Sequence, residues 1–119
     1  MLFIHMVEPL ASNKLTQILK AASDPTRRSI LTHLAQEGPA RVTEIAARFD
    51  ISLNAVSKHI MVLESAGLVS RRTQWREHLI EVQMPPLAEI DRWFASLRSI
   101  WDQRLEALDI LITKDKTDD

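Results

Sequence analysis

The chain has 119 residues, 45% of them hydrophobic and 26% charged, with a formal net charge of −1; that is one domain's worth of ordinary soluble sequence, enough for one core but not two. It contains no cysteine, which excludes a disulfide framework, a thiolate nucleophile and a cysteine metal site, and suits a reducing cytoplasm, the expected location. The apolar stretch Leu2–Val7 is too short for a signal peptide and has no Lys or Arg ahead of it, and no apolar run approaches the roughly eighteen residues of a membrane span, so no membrane partner is expected.

Residues 1–11 read as an N-terminal arm, 12–113 as one folded domain and 114–119 as a polar, frayed tail. The first helix is predicted from about Ser12 to Ala22, with Leu15, Ile18, Leu19 and Ala22 on one face. Ser23-Asp24-Pro25 then starts a second helix: Asp24 accepts from free backbone N–H groups, and Pro25 suits the first position because it has no N–H to lose. Its inward residues are Ile30, Leu31 and Leu34, and Gly38-Pro39 stops it. Thr43 opens a short helix with Ile45, Ala46 and Phe49 on its apolar side. Asp50-Ile51 makes a tight turn, and Ser52 caps a longer helix that buries Val56, Ile60 and Leu63 before Gly67 ends it. Short helix, tight turn and longer helix form a helix-turn-helix.

After Gly67 the period changes from 3.6 to about two. Leu68–Arg72 and His78–Gln83 are predicted as strands of a hairpin around residues 73–77, with a basic tip bearing Trp75. Pro85-Pro86 opens the longest helix, predicted from Leu87 to Ile112, with Leu87, Ile90, Phe94, Leu97, Trp101, Leu105, Leu108 and Ile112 at spacings of three and four, and Trp93 and Ile100 widening the stripe. That face, about 40 Å long at 1.5 Å per residue, is longer than a small domain can cover, so a partner is required. The predicted fold is mainly α with a small β-hairpin and about five helices.

The net charge conceals a segregation. Residues 41–78 hold six Lys/Arg against four Asp/Glu, +2, whereas residues 84–119 hold five against eight, −3. A local basic patch is what phosphate contact requires.

Motifs and order together resemble the ArsR/SmtB transcriptional regulators. The residues concerned are Asp24-Pro25-Thr26-Arg27-Arg28 with Ile30, Leu31 and Leu34, then Ile45-Ala46. Ala55-Val56-Ser57-Lys58-His59-Ile60 and Ala66-Gly67-Leu68-Val69 complete the pattern. The likeness runs from about Asn13 to Ile112. It implies a winged helix-turn-helix that dimerises through its first and last helices. Leu15, Ile18, Leu19, Phe94, Leu97, Trp101, Leu105 and Leu108 are then the expected interface. It implies a repressor that releases its operator on a signal. Metal-sensing relatives place cysteines where this chain has Arg41-Val42-Thr43, and others use Asp and His along a last helix that here has no histidine. Glu89, Asp91, Asp102 and Glu106 are poor ligands for a transition metal. No metal and no cofactor are expected, and the effector is unknown.

On the recognition helix, Ser52, Leu53, Asn54, Ala55, Ser57 and Lys58 are candidate DNA contacts: Asn54 suits adenine, Ser57 and Lys58 a base or phosphate, Leu53 and Ala55 thymine methyls. The family pattern adds His59. Arg71, Arg72 and Arg76 are the wing candidates, and serve equally as a charged edge that blocks strand-to-strand aggregation. Trp75 either stacks, supports those arginines or is simply exposed. Arg27 and Arg28 sit where a helix dipole favours acids, so they serve either the DNA backbone or a salt bridge within the domain. Trp93, Phe94 and Trp101 fit core or dimer interface better than a small-molecule pocket. The expected function is a homodimeric, metal-independent repressor on an inverted-repeat double-stranded DNA operator; the alternative is a protein-interaction module on the same scaffold. An enzyme is not expected, since there is no glycine-rich phosphate loop and no paired His–carboxylate motif.

Overall fold

The computed structural model describes residues 13–117, with side chains to 114; the expected arm, residues 1–11, lies outside them. Helix α1 covers residues 13–22 and buries Ile18 and Ala21 completely. Helix α2, Pro25–Glu37, starts as its sequence requires: Asp24 is extended and its Oδ2 accepts the Arg27 N–H at 3.0 Å. It ends at Gly38, whose φ of 87° favours glycine and whose N–H reaches the Leu34 carbonyl at 2.9 Å.

A two-residue strand, β1 (Ala40–Arg41), leads directly into α3 (Val42–Phe49), which begins one residue before the expected Thr43. The Glu44 carboxylate accepts the Arg41 backbone N–H at 3.1 Å and secures that start. Asp50 takes a left-handed φ of 52°, a conformation that a short polar side chain tolerates, and turns the chain toward α4 (Leu53–Ser65). The Ser52 hydroxyl caps α4 by accepting the Ala55 N–H at 3.1 Å.

The hairpin differs from its expected form. Strands β2 (Val69–Gln74) and β3 (Glu77–Val82) pair antiparallel down to Gln74 opposite Glu77, so the turn is only Trp75-Arg76. Trp75 supplies the positive φ, 63°, that a two-residue connection needs. The sequence pattern pointed to a five-residue loop because neither residue is a usual turn former. Strand β1 joins the other edge of β3, with Ala40 opposite Ile80, giving a three-stranded sheet ordered β1-β3-β2. Two residues carry no readable periodicity, which is why β1 was not foreseen.

Helix α5 runs Pro85–Thr117, beyond the expected 87–112 at both ends. Two prolines fit its first turn, where no intrahelical N–H partner is lost. Its far end enters the expected tail, as no Gly or Pro interrupts residues 113–117.

The core consists of Ile18, Ile30, Leu34, Ile45, Val56, Ile60, Leu63, Leu68 and Ile80, all fully buried, and no polar or charged residue among the described ones is buried. Leu87 and Ile90 pack against its edge. Beyond them α5 leaves the body. The radius of gyration is 21.0 Å, against about 13–14 Å for a compact chain of this length. Among the described residues no helix is long and apolar enough to cross a membrane.

Candidate nucleic-acid interface

Helix α4 has four sides, each set by the 100° step between residues. Val56, Ile60 and Leu63 fill the core side. On the opposite, outward side lie Asn54, Lys58 and Met61, all exposed. Leu53, Ser57 and Glu64 form the flank toward the wing, and Ala55 and His59 the flank toward the start of α2. Ser52 stands at the helix end, its oxygen committed to the cap.

The wing flank opens into a groove of about 390 Å³ lined by Leu53 and Ser57 of α4, Arg41 and Thr43 at the start of α3, and Arg71 and Arg76 of the wing. Arg71 is fixed here by Glu64, with Nη2 to Oε1 at 2.9 Å. Strand alternation turns Arg72 to the other face of the hairpin, and Arg76 is exposed at the tip. Arg41 joins Glu77 at 2.8 Å, tying the start of α3 to the wing. Of the three expected wing arginines, Arg71 is thus half a structural tether, whereas Arg72 and Arg76 remain exposed with no ion pair among the described residues.

The opposite flank is an internal junction. The guanidinium of Arg27 donates from Nε to the Ala21 carbonyl (2.7 Å), from Nη2 to the Lys20 carbonyl (3.2 Å) and from Nη1 to His59 Nδ1 (3.3 Å). Arg28 donates to the Ala22 carbonyl at 2.8 Å. Both arginines therefore satisfy the open carbonyls at the end of α1, which explains cations at the start of α2. The intradomain role is thus hydrogen bonding to backbone carbonyls rather than the expected salt bridge. Asp24 Oδ2 lies 3.9 Å from the same His59 nitrogen. The Arg27 N–H bond holds the Asp24 carboxyl below its usual range, against a smaller opposing effect of burial and with help from the Arg27 charge. His59, expected near the DNA, is half-buried and joins the reading helix to α1 and α2.

Thr43 and Arg41 are groove residues that pattern reading missed; the only signal was their place at the start of the helix before the turn. Of the expected interface residues, Leu15 and Leu19 are half-buried and Phe94, Leu97, Trp101, Leu105 and Leu108 exposed. Ile18 instead lies wholly within the protomer's core, because the Ile18–Ala21 edge of α1 faces the body. Among the described residues no three His, Asp or Glu side chains gather as a metal site would need.

A Ser-capped helix after a left-handed turn, flanked by an antiparallel wing, defines a winged helix-turn-helix, the fold of DNA-binding transcriptional regulators. The helix-turn-helix domain family matches residues 22–72. The chain is 32% identical over 92 residues to the HTH-type transcriptional regulator Rv2034 of Mycobacterium tuberculosis, covering 74% of this chain and 85% of that protein. An ArsR-like transcriptional regulator from Rhodococcus sp. RHA1 superposes with a TM-score of 0.72 at 30% identity, over 82% of this chain and 91% of that one. The homodimeric winged helix-turn-helix DNA-binding domain of Mb0332 from Mycobacterium bovis, a possible ArsR-family regulator, gives 0.62 at 26% identity, over 83% and 88%. The chain belongs to the ArsR family of transcriptional regulators.

Proposed function

We propose that the protein is a cytoplasmic, homodimeric repressor that binds an inverted-repeat operator without metal. The outward side of α4 carries the reading: Asn54 and Lys58 are exposed on the side opposite the buried Val56, Ile60 and Leu63. Ser57, Leu53 and Arg76 border the groove, and Arg72 is an exposed cation on the other face of the hairpin. In a dimer paired through α5 the two reading helices enter successive major grooves, about 34 Å apart, and occupy the promoter. The homodimeric relative and the exposed apolar face of α5 support pairing. A chain with no cysteine, and a last helix with no histidine, favours metal independence.

The test is duplex selected by the full chain from random-sequence DNA. Lys58→Ala and Arg72→Ala are each expected to weaken binding about tenfold, with Arg72→Ala lowering the salt slope by about one. Unchanged affinity in both would place the contact surface elsewhere. A stable monomer at micromolar concentration in sedimentation would remove the dimer, and release of the duplex by zinc would remove metal independence.

A further inference from the structure

Helix α2 buries Ile30 and Leu34, and the 100° step between residues places Ser29, Thr32, His33 and Gln36 together on a neighbouring face, with Arg28 at its edge. The end of α3 comes against that face. Phe49 packs on the core. The His33 ring meets it edge-on, with centroids 5.8 Å apart and planes at 87°, and the Arg48 guanidinium lies over it, 5.9 Å from the centroid. The result is a cleft of about 420 Å³ between the two helices, within the roughly 300–1,000 Å³ of small-molecule sites.

The chemistry of this cleft is one-sided. Its lining holds two guanidinium groups, an imidazole, an amide and two hydroxyls, and no acidic side chain. In the groove beside the wing the opposite holds: Arg41 is met by Glu77 at 2.8 Å and Arg71 by Glu64 at 2.9 Å. Arg28 commits one N–H to the Ala22 carbonyl, and Arg48 makes no hydrogen bond or ion pair among the described residues. A planar fork of such donors matches an oxyanion. Past Phe49 a smaller pocket of about 180 Å³ runs on to Pro25, Thr26 and Ile51, which supply apolar wall. No residue of α4 or the wing lines either space, so a duplex on the outward side of α4 does not account for them.

We propose that the cleft between α2 and α3 binds a small organic anion. Its oxyanion head meets Arg48 and Arg28, and its flat apolar body lies against Phe49 toward Pro25 and Ile51. A concave space of this size suits a metabolite rather than a protein surface, which would need a far larger contact area.

The test uses the full chain, labelled with nitrogen-15, and sodium benzoate as the probe, against sodium phosphate and sodium chloride at matched ionic strength. Benzoate is expected to saturate one site per chain. It should move the Arg48 Nε–H signal and the Ser29 and Phe49 amides while leaving those of Asn54 and Lys58 in place. Arg48→Gln is expected to weaken benzoate about tenfold or more, with the native thermal midpoint because Arg48 is exposed. Arg48→Lys should restore only part of the loss, since an ammonium has no fork. Shifts that never saturate, or that chloride reproduces, sink the proposal, as does native benzoate affinity in Arg48→Gln. Phosphate binding as tightly as benzoate overturns the apolar half of the site. A selected duplex that displaces benzoate, and that Arg48→Gln binds correspondingly more weakly, would assign the cleft to the DNA backbone instead. The benzoate measurement needs no duplex, so it stands or falls apart from the DNA-binding reading.

Discussion

Between Pro25 and Val82 each apolar stripe meets another within the chain: Ile30 and Leu34 of α2, Ile45 of α3, Val56, Ile60 and Leu63 of α4 and Ile80 of β3 are all fully buried. From Asp91 to Lys114 every residue of α5 is exposed, including Trp101 and Leu105 on its apolar side. The same helical periodicity generates both regions. It therefore signals burial without saying where the covering surface comes from. In the body that surface is intramolecular; along α5 the described residues do not supply it. One salt bridge, Lys14 Nζ to Glu89 Oε1 at 3.8 Å, links α1 to the foot of α5 before the helix leaves the body.

The two regions should respond differently to damage. Ile60→Ala, in the buried body, is expected to cost about 2–5 kcal/mol, read as a lower denaturant midpoint that does not depend on protein concentration. Trp101→Asp, on the exposed face, is expected to raise the dimer dissociation constant about thirtyfold or more. It should leave the helical signal of the body intact, which sedimentation and circular dichroism together would show. An equal loss of folded body in both variants would erase the distinction drawn here.

A smaller pair of changes sharpens the contrast inside the body. Ser52→Ala removes a neutral cap from α4 and is expected to cost about 1 kcal/mol at any pH. Asp24 caps α2 with a charge, and its carboxyl is held below the usual range by the Arg27 N–H. A depressed carboxyl contributes stability that is present above its unfolded pKa and is lost as pH falls through the folded value. Asp24→Asn should therefore destabilise slightly near neutral pH and flatten the acid limb of the stability curve. Identical acid limbs for the two chains would show that Asp24 titrates alike folded and unfolded.

The parts of this fold that could be read in advance rest on neighbours in sequence. Asp24-Pro25, Gly38-Pro39, Ser52 and Gly67 act within one turn, so their identities suffice to mark helix ends. The parts that could not be read depend on distant residues or on strain. His59 meets Arg27 across 32 positions, and no local pattern places it there. Trp75 occupies a conformation that its own preferences oppose, so the turn was invisible until β2 and β3 were paired. The core side of α4 was readable from the spacing of Val56, Ile60 and Leu63, which leaves Ser52, Leu53, Asn54, Ser57, Lys58 and Met61 outward; that Leu53 and Ser57 border a groove, and which wing arginine is tied down, required the positions of the wing and of Glu64.

Arg27 spans three elements with one rigid plane, meeting two carbonyls of α1 and a ring on α4 from its place on α2. A lysine would preserve the charge but is a point donor on a flexible stem, without a fork of fixed directions. Charge conservation is thus the wrong measure of tolerance at this position. One guanidinium thus braces the core-packed reading helix against α1 and α2 through bonds of fixed direction, and a substitution that electrostatics would count as silent would lose that brace.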